Sequence, residues 1–464
     1  MTVDRRSLLA ASFGLGAAAA AAAATSANAA DAAPAKAKSL RAAFRQIGNE
    51  IMGEVTPNAG EDQTPALQSL IDDAARQGRA LVLPEGVFRI SDLRLRSGTA
   101  LIGTARRTVL MFSGGPACIT ADKADDIVLE SLVIDGAYQV LDATRGEGLL
   151  SITRAQRIAI DNVEVRNSTA CGIALTQCSG RVTNTSVCDV LDAGIKSLDA
   201  QGLDISGNAI TRCAGNGILV WRSEPGEDGT LIAANRISQI RNAPGGSGEW
   251  GNGINVFRAG SVLVQANRIC DCTYSAVRGN AASNLQIIAN SCERLGEVAL
   301  YAEFGFEGCV IANNAVDTAA TGISVTNFNE GGRLAVIQGN LIRNLARREK
   351  EPEGEKRGEG ISVEADAAVT GNTIEGAPAT GIQIGWGAYM RDVAATGNVI
   401  RRSRVGISIT GDPEAGACLI ANNLISQTPG GAIRKMTLGV VAGPDLAHDP
   451  STAGRIALNG NVAV

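Results

Sequence analysis

Two short patterns of apolar and polar residues alternate along the chain from about residue 160 onward. The first is a Gly/Ala-Asn-x-Ile/Val segment, and its asparagines are Asn208, Asn235, Asn267, Asn290, Asn314, Asn340, Asn372, Asn398, Asn423 and Asn461. The second is Gly-Ile-x-Val, which starts at Gly172, Gly194, Gly217, Gly253, Gly322, Gly360, Gly381 and Gly406. Its Ile and Val residues alternate with other residues, which is the period of a half-buried β-strand.

The spacing of the asparagines predicts a solenoid, because consecutive members are separated by 23 to 38 residues. One coil then contains a Gly-Ile strand, a variable turn, a second strand, a tight Asn turn and a short third strand. Asn tolerates the left-handed backbone region that a tight turn requires. Stacked Asn side chains can also hydrogen-bond between coils. We therefore expect an Asn ladder along the solenoid.

The segment before the repeats predicts a cap. Residues 62–104 contain an amphipathic helix, with apolar residues at Ala66, Leu67, Leu70, Ile71, Ala74 and Ala75, followed by a short strand near Leu81. A first coil without a cap would expose a sheet edge and an apolar end.

Cap and coils over about 60–464 resemble the right-handed parallel β-helix superfamily of pectate lyases and polygalacturonases. The resemblance implies an all-β, single-stranded right-handed parallel β-helix solenoid with an N-terminal capping helix, the cap occupying about 60–90. It leaves the activity open, since this fold carries lyases, hydrolases, epimerases and non-catalytic binding proteins. The polygalacturonase motifs, including Gly-His-Gly, are absent from the sequence.

The N-terminus adds an export signal to this picture. Residues 1–29 carry Arg5 and Arg6, a weakly apolar stretch and a small-residue cleavage site at Ala27-Asn28-Ala29. This pattern resembles a twin-arginine signal peptide and predicts a periplasmic or secreted protein, with 30–59 as a linker and lead-in. Its partner in export would be the twin-arginine machinery. No later segment is apolar and long enough to predict a membrane span in the mature chain.

Composition supports a solenoid and excludes some functions. Glycine accounts for 55 of 464 residues and aromatics for 3%, which suits stacked thin layers better than one thick core. The net charge of −5 argues against a nucleic-acid partner. The ten cysteines form no CxxC pair, and His448 is the only histidine, so we expect no zinc site and a surface position for His448.

Insertions on both sides of the Gly-Ile strands predict a groove above them. Turns are enlarged at 135–147, 241–252 and 345–359 before the strand, and at 222–230, 303–309, 327–333 and 385–392 after it. The charged run within 345–359 is expected to be a solvated loop. Alternation then points one set of side chains outward into the groove: Lys196, Leu198, Leu219, Trp221, Asn255, Phe257, Arg278, Asn280, Tyr301, Glu303, Ser324, Thr326, Ser362, Glu364 and Gln383, with Trp386 just beyond.

This mixture of aromatic and polar residues suits a polysaccharide or other glycan, since sugar rings have apolar faces and hydroxyl rims. The candidate substrate-binding residues are Trp221, Asn255, Phe257, Asn280, Gln383 and Trp386. The alternative is that outward strand residues are polar in any case and that the aromatic rings pack for stability.

Two chemistries can be assigned to the same face. A uronate lyase or epimerase needs a cation or amide to neutralise the carboxylate, for which Arg278 with Asn255 or Asn280 is the candidate. It also needs a base, for which Tyr301 or Lys196 is available. An inverting hydrolase needs two carboxyls, and Glu303 and Glu364 lie two coils, or about 9.6 Å, apart. No aspartate cluster marks a calcium site, although Glu303 could bind calcium together with a uronate.

The sequence thus favours an exported protein that acts on an acidic polysaccharide, as a lyase or epimerase rather than a hydrolase. A non-catalytic β-helix that binds glycan or serves as an envelope scaffold remains the alternative, and a protein partner is the third. The reaction and the substrate stay open.

Overall fold

A computed structural model describes residues 55–246, 248–350 and 357–464 of the chain. The signal peptide predicted at 1–29 and most of the lead-in predicted at 30–59 lie outside these residues. None of the helices in the described ranges is long and apolar enough to cross a membrane.

The described ranges contain one α-helix, α1 (Thr64–Arg76), two 3₁₀ helices (Phe328–Glu330 and Pro450–Thr452) and 45 strands. In chain order the strands are β1 (Ala80–Val82), β2 (Gly86–Ile90), β3 (Leu93–Leu95), β4 (Ala100–Ile102), β5 (Thr108–Phe112), β6 (Ile119–Asp122), β7 (Val128–Glu130), β8 (Val133–Asp135), β9 (Gly148–Thr153), β10 (Ile158–Asp161), β11 (Glu164–Ser168), β12 (Cys171–Thr176), β13 (Gly180–Thr183), β14 (Ser186–Val190), β15 (Ile195–Leu198), β16 (Leu203–Ser206), β17 (Ala209–Cys213), β18 (Ile218–Glu227), β19 (Leu231–Ala233), β20 (Arg236–Ile240), β21 (Ile254–Gly260), β22 (Leu263–Gln265), β23 (Arg268–Cys272), β24 (Val277–Asn280), β25 (Leu285–Ile288), β26 (Ser291–Leu295), β27 (Val298–Glu303), β28 (Glu307–Ala312), β29 (Ala315–Asp317), β30 (Thr321–Val325), β31 (Arg333–Gln338), β32 (Leu341–Arg343), β33 (Glu359–Val363), β34 (Ala365–Thr370), β35 (Thr373–Glu375), β36 (Thr380–Ile384), β37 (Arg391–Thr396), β38 (Val399–Arg401), β39 (Val405–Thr410), β40 (Cys418–Ala421), β41 (Leu424–Ser426), β42 (Ile433–Thr437), β43 (Val440–Asp445), β44 (Ile456–Asn459) and β45 (Val462–Ala463).

Up to β42 each strand stacks on the strand three before it, and the result is three sheets of 15 strands each, parallel except for β43. Sheet 1 runs from β1 through β4 to β44, sheet 2 from β2 through β5 to β45, and sheet 3 from β3 through β6 to β42 and β43. The Gly-Ile strands form sheet 3, and the strands that follow the Asn turn form sheet 2. The right-handed parallel β-helix predicted from the sequence is confirmed.

Aliphatic side chains fill the interior of the coils. In β21, for example, Ile254 and Val256 are fully buried, and they stack on the equivalent residues of the neighbouring strands. Each coil is only one strand thick, so a coil buries its apolar side chains only when another coil or a cap covers it.

Helix α1 covers the N-terminal end of this stack. Its face with Leu67, Ile71 and Ala74 is buried, and the helix packs against β1, β3 and β4. Asp62 accepts a hydrogen bond from the backbone N–H of Thr64 at 2.7 Å, which satisfies one of the free N–H groups at the helix start. The predicted capping helix is confirmed.

At the other end, β42 and β43 form an antiparallel hairpin that covers the last parallel strand of sheet 3. Asp445 accepts hydrogen bonds from the backbone N–H groups of Ala432 at 2.6 Å and Ile433 at 3.0 Å. Arg434 donates to the carbonyls of Gly430 and Gly443, both at 2.7 Å. The hairpin is therefore fixed at its base.

The Asn side chains form the predicted ladder in the interior. The Asn314 Oδ1 atom accepts hydrogen bonds from the backbone N–H of Asn290 at 2.8 Å and from its side-chain amide at 3.0 Å. The Asn314 amide donates in turn to Asn340 Oδ1 at 3.0 Å and to the carbonyl of Ile287 at 2.9 Å. The same pattern runs from Asn208 to Asn461.

The expected reason for Asn at the turn is wrong in one respect. The left-handed residue is not the ladder Asn but the residue before it, such as Ala289 with a φ of 58° or Gly339 with a φ of 64°. Asn therefore occupies the ladder position for its hydrogen bonds, and the preceding residue makes the turn. Thr185, one coil before Asn208, fills the same position and accepts a hydrogen bond from the N–H of Val163 at 3.3 Å.

We predict that Asn314→Ala destabilises the fold by about 3–5 kcal/mol, because it leaves several buried donors and acceptors without partners. Asn314→Thr is the matched control, since threonine fills this position naturally in an earlier coil. It should cost clearly less than the alanine variant. Chemical unfolding followed by circular dichroism measures both. Equal losses for the two variants would contradict a ladder held by hydrogen bonds.

Candidate functional site

The outer face of sheet 3 carries the candidate residues in the register predicted from the sequence. Cα pairing places Asn255 opposite Arg278 and Arg278 opposite Tyr301 in three consecutive coils. A second column contains Phe257, Asn280 and Glu303. The stacking of the predicted site residues is thus as expected, while the open groove above them is not.

Several outward residues of this face are buried. Ser324 and Ser362, which occupy the coils between Tyr301 and Gln383, are only 1% and 2% exposed. Asn255 is likewise buried. The predicted open groove is interrupted at two places within the described ranges, where the carbonyl of Glu249 contacts Asn255 and the N–H of Phe328 contacts Glu364.

The centre of the covered region is an ion pair between Arg278 and Glu303. The Arg278 Nε and Glu303 Oε1 atoms are 2.5 Å apart, and the two side chains are 13% and 3% exposed. Asn280 donates a further hydrogen bond to Glu303 Oε1 at 3.1 Å. Burial acts to lower the pKa of Arg278, but the Glu303 carboxylate outweighs it and the pKa is raised. Arg278 is therefore a charged group already neutralised within the protein.

The loop 241–252 lies directly on this arginine. A Cβ atom on Gly248 would fall 1.3 Å from Arg278 Nη1, so only glycine fits there. Asn255 donates from its side chain to the carbonyl of Glu249 at 3.1 Å, which fastens the same loop to the sheet. Asn255 thus fastens the loop to the sheet, and Gly248 packs against the side chain of Arg278, which is 13% exposed.

The aromatic residues at this point pack against one another. The ring of Trp221 lies 5.8 Å from that of Trp250 and 5.9 Å from that of Phe257, centroid to centroid. Trp221 Nε1 donates to Asn255 Oδ1 at 3.3 Å, and the buried Leu219 lies in the same small apolar cluster. This arrangement agrees with the alternative interpretation, in which the rings stabilise the loop. Sequence reasoning did not single out Trp250, because it lies within an insertion.

Tyr301 lies beside the ion pair, with the Arg278 guanidinium carbon 5.5 Å from its ring centroid. Burial and then the Glu303 charge raise the pKa of Tyr301. A tyrosine held in its protonated form can donate a proton, but it is a poor base.

Two other candidates lie apart from the ion pair. Lys196 Nζ is 2.9 Å from Glu147 Oε2, and its strand β15 is three coils away from Arg278. Glu364 accepts a hydrogen bond from the backbone N–H of Phe328 at 2.7 Å, and burial raises its pKa. Glu303 and Glu364 do occupy equivalent positions two coils apart, yet each is engaged within the protein.

Three residues of the charged loop 345–359, namely Arg347, Arg357 and Glu359, line a cavity, so the expectation of a purely solvated loop is wrong for these three. This arginine cavity, as we call it, has a volume of about 430 Å³. Its lining residues are Arg347, Arg357, Glu359, Ala379, Thr380, Gln383, Trp386, Arg404, Val405, Ser408, Leu438, Gly439, Val440 and Val441. Gln383 and Trp386 were predicted as substrate-binding residues, whereas the three arginines and Glu359 were not.

Glu359 is the acidic group of the arginine cavity. Its side chain is 12% exposed, and its Oε2 atom lies 4.0 Å from Arg357 Nη1. That oxygen has no hydrogen-bond partner within the described ranges. Burial raises the pKa of Glu359, and the nearby Arg357 charge only partly opposes this. The carboxyl thus combines a raised pKa with access to a cavity, as general acids and bases do.

Glu297 connects the cavity with the central ion pair. Burial raises its pKa, while the charges of Arg278, Arg348 and Arg357 act in the opposite direction. The Arg348 Nη1 and Glu297 Oε1 atoms are 3.8 Å apart. Charged side chains of the described residues thus lie close together here: Arg278, Arg347, Arg348, Arg357 and Arg404 with Glu297, Glu303 and Glu359.

A second cavity opens on the same sheet near the N-terminal cap, with a volume of about 590 Å³. Its arginines are matched by acids: Arg94 lies 2.7 Å from Asp92, and Arg154 lies 2.5 Å from Asp122. Arg145 is 3.8 Å from the same Asp92. The arginines of this second cavity are therefore matched by nearby acids.

Comparison with known proteins agrees with this architecture. A family model described as "Right handed beta helix region" matches residues 226–400, and one described as "Periplasmic copper-binding protein (NosD)" matches residues 119–292. The catalytic unit of a GH87 alpha-1,3-glucanase from Streptomyces thermodiastaticus is 15% identical, with a TM-score of 0.44 over 88% of this chain and 67% of its own. The Azotobacter vinelandii mannuronan C-5 epimerase AlgE6 A-module is 15% identical, with a TM-score of 0.44 over 87% of this chain and 96% of its own. Bacteriophage phi29 gene product 12, in its pre-mature form, is 15% identical, with a TM-score of 0.49 over 88% of this chain and 55% of its own.

The second family description names copper, but the described residues offer no set of ligands for a copper ion. Within the described ranges no group of three or more His, Cys, Asp or Glu side chains is arranged to hold a metal ion. The single histidine, His448, is 76% exposed at its side chain. Glu303, considered above as a calcium ligand, is paired with Arg278 instead. The stacked strands and the match over 226–400 together establish that the chain is a right-handed parallel β-helix protein.

Proposed function

We propose that this protein is exported and acts on an acidic polysaccharide, and that the arginine cavity is where the polysaccharide binds. The observation that carries the proposal is that Arg357 and Arg404 line this cavity beside Gln383 and Trp386, in a chain whose overall net charge is −5. A local positive field on an acidic protein attracts an anionic ligand. Burial raises the pKa of both Glu297 and Glu359 from the ordinary value.

The lining of the cavity supports a carboxylated sugar as the ligand. Guanidinium groups bind carboxylates through paired hydrogen bonds, and Arg404 is exposed and has no ion-pair partner among the described residues. Trp386 offers an aromatic surface for the apolar face of a sugar ring, and Gln383 and Ser408 offer hydrogen bonds. The volume of about 430 Å³ lies in the range of small-ligand sites.

For the reaction we favour removal of the proton next to the carboxylate, as in a lyase or an epimerase. Arginines would stabilise the negative charge that develops on the carboxylate, and Glu359, when ionised, would accept the C5 proton. In a lyase the C4 oxygen then leaves and a double bond forms, whereas in an epimerase a proton returns to the opposite face. Tyr301, which stays protonated, suits the donor role, although it lies under the loops.

The other reactions have less support. An inverting hydrolase would use Glu303 and Glu364, but both carboxyls already hold other groups of the protein. Arg278 and Glu303 are better suited to supporting the site than to binding substrate. A non-catalytic glycan-binding protein would use the same arginine cavity without needing Glu359 as a base, so a variant at Glu359 separates the two functions.

We predict that the purified mature protein raises the ultraviolet absorbance of polygalacturonate or polymannuronate solutions, because a lyase forms unsaturated uronyl ends. Arg404→Ala should lower the rate, or the binding affinity, at least tenfold, since it removes a carboxylate contact. Arg402→Ala is the matched control, because Arg402 pairs with Glu375 away from the cavity. A flat absorbance with binding that still depends on Arg404 would favour the binding protein or an epimerase. No binding of any polyuronate would refute the proposed function.

A second prediction concerns Glu359 and pH. Because burial raises the pKa of Glu359 above its ordinary value of 4.5, the folded protein holds this proton more tightly than the unfolded chain. The free energy of unfolding therefore falls as pH rises from about 4.5 through the raised pKa. Glutamine mimics the protonated form, so Glu359→Gln should be more stable than the wild type at pH 8, by about 1 kcal/mol, and equal to it near pH 4.

Thermal unfolding at the two pH values measures this difference. Glu414→Gln, at an exposed glutamate, is the control and should change stability at neither pH. In a lyase or epimerase Glu359→Gln should also abolish turnover while binding persists. A stability gain of the same size at both pH values would contradict a titrating, buried Glu359.

A further inference from the structure

The arginine cavity has an apolar wall that comes from the hairpin at the C-terminal end of sheet 3. The turn between β42 and β43 contributes Leu438 and Gly439, and β43 contributes Val440 and Val441. Leu438 and Val440 are 58% and 70% exposed, so the packing of the protein itself covers little of either side chain. Aliphatic side chains left exposed beside a cavity are available to an apolar part of a ligand.

The wall adjoins Trp386, the residue predicted to bind a sugar ring. A Cβ atom on Gly439 would lie 2.9 Å from the indole ring, and one on Gly387 would lie 3.4 Å from Leu438 Cδ2. The φ of Gly439 is 81°, which also favours glycine. The hairpin turn therefore packs on the turn that carries Trp386, and the aromatic and aliphatic surfaces form one continuous side of the cavity.

Hydrogen bonds at the base of the hairpin fix this wall. Asp445 accepts from the backbone N–H groups of Ala432 and Ile433, and Arg434 donates to two backbone carbonyls. Met436, near the end of β42, is buried. The wall is therefore formed before a ligand arrives, and a ligand does not have to order it.

The wall and the charged groups of the cavity require different parts of one ligand. Arg357 and Arg404 suit a carboxylate, and Trp386 suits the C–H face of a sugar ring. The aliphatic wall suits neither a carboxylate nor a free hydroxyl, because such a group loses hydration there without gaining a hydrogen bond. Esterification of a sugar hydroxyl with a small acyl group removes its donor and adds a methyl group for the wall to cover.

We infer that the arginine cavity binds an acidic polysaccharide that carries O-acetyl groups, with the acetyl methyl against Leu438, Val440 and Val441. This inference rests on the proposed function and adds the substituent that the polysaccharide carries. The carboxylate of this ligand stays free, because its charge is what Arg357 and Arg404 bind. The acylated group is thus a sugar hydroxyl, and esterification of the carboxyl itself would remove the charge.

Polymannuronate oligomers that differ only in acetylation test the inference. O-acetylated oligomers, and the same oligomers after mild alkaline deacetylation, are titrated into the mature protein by calorimetry. We expect the acetylated oligomers to bind at least about threefold more tightly, since an additional methyl group is buried. Equal affinity, or tighter binding of the deacetylated oligomers, would overturn the inference and leave the proposed function intact. No binding of either would refute the proposed function itself.

Variants of the wall distinguish contact with the acetyl group from an effect of acetylation on the oligomer alone. Val440→Thr keeps the shape of the side chain and replaces a methyl with a hydroxyl, and combined with Leu438→Ser it should abolish the preference for acetylated oligomers. Val462→Thr, at a half-exposed valine of β45 that does not line the cavity, is the matched control and should keep the preference. A preference that survives the combined variant would overturn the inference, because the acetyl group would then bind elsewhere.

Discussion

The in-register stacking of coils, held by the Asn ladder, is the constraint on which the rest of this structure depends. Each ladder Asn bonds both neighbouring coils, so the coils cannot slide or rotate relative to one another. A slip of one residue would turn every inward Ile and Val outward. Because the register is fixed, side chains from neighbouring coils, such as Arg278 and Glu303, which are 25 residues apart in sequence, meet at hydrogen-bond distance. The site is thus a product of the repeat.

Much of the fold could be predicted from the sequence, because a solenoid repeats the same local rule in each coil. The period of the Asn turns predicted the length of one coil. The alternation of residues around Gly-Ile predicted which side chains point outward, including Asn255, Arg278 and Tyr301, which lie in one column. The left-handed residue of the turn was misassigned by one position, since Asn and its predecessor are both types that such a turn accepts.

The candidate site was predicted less well, for a physical reason. Periodicity describes strands, whereas insertions such as 241–252 and 345–359 follow no period, and their paths depend on contacts with distant coils. Gly248 on Arg278 and Arg357 beside Glu359 are contacts of that kind. A run of charged residues, considered alone, predicts a loop exposed to solvent. Its arginines turn inward here because Glu297 and Glu359 provide buried acidic partners, and Glu297 comes from another coil.

The ten cysteines affect the conditions under which the protein can fold. All of them are free thiols, and all but Cys188 and Cys270 are buried within the described ranges. Burial raises the pKa of thiols such as Cys292, to about 12, so the reactive thiolate is scarce at neutral pH. No covalent cross-link is needed to complete the stack. The same fold can therefore form in a reducing compartment and persist in an oxidising one, which frees its assembly from the redox state of its surroundings.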